Sequence, residues 1–287
     1  MSLPHVEQSQ SRKMPILIVP NHRKVPVLDT GSALLYLRAR FFGHFELLYG
    51  DEGVDLGRNV KALAILKYLL SHLQRPVSQD YLMDWLWPES DPRRARWSLN
   101  SAVHALRKLL KDELPTAPSS KYVLFDKGYY RFDPSVQLWT DTEEFRTLYE
   151  RGRRLERTRR IPEAVAEYEE AIELYRGDYL IEDLYEDWTM VEREWFTNAY
   201  MDMLERLADY YKGTQRYQDS IRTCYRLLEK DYYHEESHRL LMECQARLGL
   251  RGRALRQYRL LEGMLKRDWE TAPQPETRNL YQRLLGR

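Results

Sequence analysis

The sequence predicts two domains in series, an α+β domain followed by an all-α domain of helical repeats. Three observations predict it. Between residues 34 and 132, short runs of alternating apolar and polar residues give way to three helical segments and a closing hairpin. From Asp141 onward the apolar spacing is helical throughout. Within that second part, helix pairs recur with a period of 34 residues. A chain of 287 residues is long enough for two separate cores.

Residues 1–32 are polar, with scattered proline and serine and no helical period. They read as a poorly ordered leader, with one short strand at Ile16–Val19. From Leu34 to Gly57, with Gly43 and Asp51-Glu52-Gly53 as turns, the pattern predicts three or four short antiparallel strands. Asn59–Gln74, NVKALAILKYLLSHLQ, places apolar residues at 62, 63, 65, 66, 69, 70 and 73, a buried stripe. Arg75-Pro76-Val77 breaks that helix, and Ser78 then caps QDYLMDWLW, which stops at Pro88. A third helix runs from Arg93 to Lys111, and Lys121–Phe132 is a hairpin turning at Lys127-Gly128. Sheet, three helices and hairpin, in that order, make a winged helix over residues 33–135.

The second domain, residues 141–287, repeats. Ala164, Tyr168 and Ala171 align with Ser220, Cys224 and Leu227, and these with Ala254, Tyr258 and Leu261. The last two sets are 34 residues apart, the tetratricopeptide period. The first two are 56 apart, which leaves Asp178–Ala199 as a non-repeating helical insert. Leu148, Gly152 and Leu155 supply the first helix of the first repeat. Stacked pairs of this kind bury a continuous core and leave a concave surface for a partner.

Composition narrows the function. Hydrophobic residues are 43% and charged residues 31%, a mix suited to a soluble, helix-rich protein. No apolar run approaches the roughly 18 residues that span a bilayer, and ILIVP at 16–20 is too short for a signal peptide, so no membrane partner is expected. Cys224 and Cys244 fall in amphipathic stretches and read as reduced core thiols, hence a cytoplasmic location. Residues 59–132 carry 12 basic and 7 acidic side chains, and residues 133–287 carry 26 and 31. One half suits a polyanion and the other does not.

The stretch Tyr233–His238, YHEESH, holds the H-E-x-x-H pattern of zinc proteases. Two histidines four apart share a helix face and can ligate zinc, but a third ligand is also needed, and no histidine follows His238. The simpler reading is a helix start, with Glu235 and Glu236 near its N-terminal dipole. No G-x-x-x-x-G-K-[ST] occurs either. The sequence therefore predicts no enzyme, no cofactor, no metal site and no catalytic residue.

The chemistry lies in Arg93–Lys111. Ala95, Leu99, Ala102, Val103, Leu106 and Leu110 make its buried face, and Arg94, Trp97, Asn100, Ser101, His104, Arg107 and Lys108 lie on the other. Arginine grips guanine, asparagine pairs with adenine in bidentate fashion, and serine or histidine reaches bases or phosphates, so this face suits the major groove of double-stranded DNA. The bland alternative is a solvated basic face, against which the helix's third place in a winged helix weighs. Lys127 and Arg131 on the hairpin are candidates for the minor groove or phosphates. Lys61, Arg75 and Arg93 are candidates for phosphates alone, though each also fits an ordinary surface charge. Trp85 and Trp87 read as core and loop anchors.

The chain resembles the SARP family of regulators, in which an OmpR-type winged helix precedes a bacterial transcriptional activation domain of tetratricopeptide type. The resemblance is carried by VDLGRNVKALAILKYLL, RPVSQDYLMDWLWPES, ARWSLNSAVHALRKLL, GYYRF, GDYLIEDLYEDW, HEESHRLLM, ALRQYRLL and PQPETRNLYQRL, in that order, over residues 38–286. It implies a transcriptional activator whose third helix enters the major groove and whose wing touches the minor groove. It implies also that the loop Pro88–Pro92 faces RNA polymerase, and that the protein binds direct repeats as a homodimer. Ala105 stands where relatives often carry a basic residue, and Asp126-Lys127-Gly128-Tyr129 where they have a glycine-rich wing. The competing reading is a tetratricopeptide scaffold whose winged helix no longer binds DNA.

Overall fold

The computed structural model describes residues 36–73, 75–114 and 122–286. The expected leader, its strand at Ile16–Val19, Gln74 and Lys121 lie outside the described residues. The chain divides into two units. Of the described residues, Tyr36–Leu37 and Leu48–Leu138 belong to the first, and Trp139 onward to the second, which also takes in Arg38–Leu47.

Strand β1 spans Tyr36–Arg40, β2 Glu46–Tyr49 and β3 Glu52–Gly53. β2 and β3 pair antiparallel, with Leu48 opposite Gly53. Helix α1, Val60–Ser71, starts where the Asn59 side chain accepts the amide of Ala62. It ends before the expected Gln74, at a His72 C-cap outside the helical region. Ile65, Leu66, Leu69 and Leu70 are buried along one face. Val77–Ser78 forms β4, a strand the sequence reading missed because two residues show no alternation. Ser78 also caps α2, Gln79–Leu86, by accepting the amide of Tyr81.

Helix α3 runs Pro92–Glu113, with Asp91 accepting the amides of Arg93 and Arg94 and proline in the first turn, where its missing N–H costs nothing. Strands β5, Val123–Asp126, and β6, Tyr129–Phe132, form the hairpin, with Phe125 opposite Tyr130. Its two turn residues, Lys127 at φ 47° and Gly128 at φ 85°, are left-handed, as a two-residue turn matched to strand twist requires. β4 pairs on the far side of β6, giving a three-stranded sheet in the order β4-β6-β5. Another unanticipated strand, β7 at Gln137–Thr140, completes a sheet in the order β3-β2-β1-β7.

The second unit is helical, as expected. Helix α4 spans Asp141–Arg157 and α5 Ile161–Leu174; a short 3-10 turn at Ile181–Asp183 precedes α6, Asp187–Gly213. Then follow α7, Tyr217–Lys230; α8, Glu235–Arg247; α9, Arg251–Trp269; and α10, Pro275–Leu285. The aligned residues fall on the second helix of each pair: Ala164, Tyr168 and Ala171 on α5, Ser220, Cys224 and Leu227 on α7, Ala254, Tyr258 and Leu261 on α9, all buried. Gly152 of α4 is buried under the Tyr168 ring, and the position takes glycine because any Cβ there would stand 2.2 Å from that ring. The insert Asp178–Ala199 is helical chiefly from Asp187: its first half holds the 3-10 turn Ile181–Asp183, and its second half is the start of α6, which runs on through Phe196 and Ala199 to 27 residues.

Arg38–Leu47 is built into this helical unit. Phe42 lies against Phe145, Tyr175 and Phe196 with ring centroids about 5 Å apart, and Phe41 stacks on Tyr179 at 5.7 Å. The Asp141 carboxylate, at the start of α4, accepts the amides of Phe41 and Phe42 at 2.8–3.1 Å. Burial raises its pKa to about 6, against those backbone bonds and the Arg176 guanidinium 3.8 Å away.

Candidate nucleic-acid interface

Helix α3 separates its residues sharply. Ala95, Leu99, Ala102, Val103, Leu106 and Leu110 are buried, as the spacing predicts. Arg93, Arg94, Trp97, Asn100, Ser101, His104 and Lys108 are all exposed. The side chains of Arg93, Trp97, Ser101, His104 and Lys108 have no hydrogen bond or ion pair among the described residues, and the Trp97 ring is 74% exposed. Arg94 makes one exposed ion pair with Asp91 at 3.2 Å, weak enough for a phosphate to replace. Asn100 accepts a long hydrogen bond from the Tyr130 hydroxyl, 3.4 Å, and keeps its amide donors free to point outward.

Arg107 differs from its neighbours. It is half-buried, and its Nε donates to the carbonyl of Val123 at 2.9 Å. It ties α3 to the first strand of the hairpin and so sets the angle between them. Its place opposite the buried stripe marked it as surface, but a side chain at the edge of an apolar stripe reaches sideways to whatever packs there.

The candidates off α3 are scattered. Lys127 lies at the hairpin tip and Arg131 on its outer face, both exposed. Lys61 is exposed at the start of α1, 6.0 Å from the Trp87 ring centre, and Arg75 is exposed in the turn before β4. Trp85 is half-buried and lies 5.4 Å from Tyr68, an anchor between α1 and α2. Sequence reasoning passed over Phe125 and Tyr129, which are 47% and 50% exposed beside the hairpin turn. Strand alternation could have found them: 125, 129 and 131 are exposed while 130 and 132 are buried. Arg96 was also missed, an exposed cation between Ala95 and Trp97.

The H-E-x-x-H histidines are committed to the fold. His234 caps α8, its Nδ1 accepting the amide of Ser237, and its Nε2 lies 3.1 Å from Glu205. His238 is 1% exposed. Its Nε2 donates to the Tyr232 carbonyl at 2.9 Å, so Nδ1 must be the acceptor for the Gln257 amide at 2.6 Å. Nε2 carries its proton and the Nδ1 lone pair is taken by Gln257, so neither nitrogen is free to bind a metal. Among the described residues no three His, Cys, Asp or Glu side chains cluster as a metal site. Cys224 and Cys244 are buried free thiols, and burial pushes Cys224 up to about 12. Among the described residues no helix is long and apolar enough to cross a membrane.

Comparison with known proteins follows the same division. Residues 140–285 match the bacterial transcriptional activator domain, and residues 52–130 match the C-terminal domain of transcriptional regulatory proteins. The transcriptional regulatory protein MoaR1 of Mycobacterium bovis, and that of Mycobacterium tuberculosis, are each 24% identical over 266 residues, 93% of this chain and 84% of theirs. Among solved structures, Mycobacterium tuberculosis EmbR in complex with a low-affinity phosphopeptide is similar with a TM-score of 0.66 and 24% identity. That match covers 87% of this chain and 65% of the EmbR chain, so this chain spans just under two thirds of that structure's length. The activator-domain match alone takes in half of the sequence, and the chain belongs to that family: it is a transcriptional regulator of SARP type, a winged helix followed by helical repeats.

Proposed function

We propose that the protein is a sequence-specific DNA-binding regulator that activates transcription in the cytoplasm, reading the major groove with α3. The observation that carries this is the outer face of that helix. Seven side chains of the types that read bases and phosphates stand exposed, five of them unused by the fold, on a helix whose other face is fully buried. A rigid helix with unspent donors is what direct readout needs. Arg94, Asn100, Ser101 and His104 are the base-reading candidates, and Arg93, Lys108, Lys61 and Arg75 the phosphate contacts. Arg107 positions the hairpin, whose Lys127, Tyr129 and Arg131 meet the neighbouring groove. One winged helix covers few base pairs, so two copies act on repeated half-sites. The loop Pro88–Pro92 is the candidate contact for RNA polymerase.

The test is selection of bound sequences from a random duplex library with the full chain, beside Arg94→Ala/His104→Ala. Enrichment of a repeated motif that the double variant loses supports the reading, and affinity should fall steeply with salt. No enrichment even at low salt overturns it and leaves the protein-interaction scaffold.

A further inference from the structure

Helix α6 begins with side chains that the fold does not bury. Asp187, Met190, Val191 and Glu194 follow at spacings of three and four, so they share one face of its first turns. Leu184 and Tyr185 extend that face into the preceding turn. Tyr185 is 97% exposed, Val191 76% and Met190 56%. Apolar exposure on a slack loop would mean little, but this segment is braced. The Arg193 guanidinium donates to the carbonyls of Tyr179, Leu180, Asp183 and Leu184 and to the Thr189 hydroxyl. Thr189 in turn bonds the carbonyls of Asp183 and Glu186. The backbone is fixed, and its apolar side chains point away from the core. A pre-organised apolar face rimmed by carboxylates fits a protein surface that carries arginines.

The same helical unit carries such a surface. Arg154, Arg157 and Arg159 are exposed at the turn between α4 and α5, and none has an ion pair among the described residues. Ile161 beside them is 40% exposed. The two faces lie at opposite ends of α4. Arg146, early in α4, pairs with Glu192 early in α6 at 2.8 Å, whereas Glu156 at the end of α4 pairs with Arg206 at 2.7 Å. A helix of 17 residues is about 25 Å long, too far for the two faces of one chain to meet.

We propose that these faces are the two halves of a head-to-tail contact between copies of this chain: the acid-rimmed apolar face of α6 seats the arginine turn of the next copy. Guanidinium planes stack on tyrosine and pair with carboxylates, and Tyr, Met and Arg are the side chains enriched in interface cores. A contact between two different faces repeats in one direction, and that is the relation between copies bound to direct repeats. The contact rests on the reading above only in having two copies act together.

Mixing tests it. Arg154→Glu/Arg157→Glu spoils one face, Asp187→Arg/Glu194→Arg spoils the other, and all four residues are exposed, so folding should be unaffected. Sedimentation velocity of the full chain, without DNA, should show concentration-dependent association that each variant abolishes. An equimolar mixture of the two variants should regain association, because each brings one intact face. A third variant, Tyr185→Ala, should weaken association with charge unchanged. The proposal is overturned if the wild-type chain stays monomeric at its highest soluble concentration, if either double variant associates normally, or if the mixture fails to recover. Because DNA is absent, failure here leaves the DNA-binding reading intact, and loss of DNA binding with association retained does the reverse.

Discussion

Helices α3 and α8 both carry histidine among chemically capable neighbours, and the fold treats them in opposite ways. On α8 both ring nitrogens of His238 are satisfied by Tyr232 and Gln257, and His234 is spent on a cap. On α3 His104 stands in solvent with no partner among the described residues. A reactive residue type therefore says little until one knows whether the fold has already used its hydrogen-bonding capacity. By that criterion the zinc-like motif belongs to the architecture, and α3 is available for a ligand.

The largest expected effect attacks the architectural side of this contrast. His238→Ala should lower unfolding stability by about 3 kcal/mol, through a cavity and two orphaned polar groups. Urea denaturation measures it, and a loss below about 1 kcal/mol would mean the histidine is not integral.

Asp141 gives the next largest effect, through pH. Its folded-state pKa is raised by burial to about 6 from an ordinary 3.8, so the folded state holds the proton more tightly than the unfolded one. Its stabilising contribution is full below about pH 4 and is lost as pH rises through about 6, by at most about 3 kcal/mol at 1.36 kcal/mol per unit. Subtracting the stability of Asp141→Asn from that of the wild type across pH 3–8 should isolate this decline; a flat or rising difference would contradict it.

Arg107→Ala sharpens the comparison at its boundary. It should cost about 1 kcal/mol by leaving the Val123 carbonyl without its donor, and hydrogen exchange should quicken along β5. His104→Ala should change stability by less than about 0.5 kcal/mol in the same denaturation experiment, while weakening duplex binding. A stability loss as large as that of His238→Ala would erase the distinction between the two helices.

The order of elements was legible because their signals are local. The buried stripe of α3, the cap at Ser78, the Lys127-Gly128 turn and the 34-residue period each lie within a few residues or one repeat. β4 and β7 were not legible, since strands of two and four residues take their identity from a partner far along the chain. For the same reason Arg107 passed for a surface residue. The binding of Phe41 and Phe42 to Asp141, across 100 residues, has no periodicity to betray it.

That last pairing bears on how this protein could be taken apart. Along the described residues the chain crosses between the two units three times: Tyr36–Leu37 and Leu48–Leu138 fall in one, Arg38–Leu47 and Trp139 onward in the other. In architectural terms the two are interleaved along the sequence rather than beads on a string. A graft of foreign DNA-reading modules onto these repeats would need two splice points, one near residue 47 and one near residue 138. A single cut at the second would strip the repeats of Phe41 and Phe42, leaving a bare carboxylate and an open aromatic socket where their first strand had been.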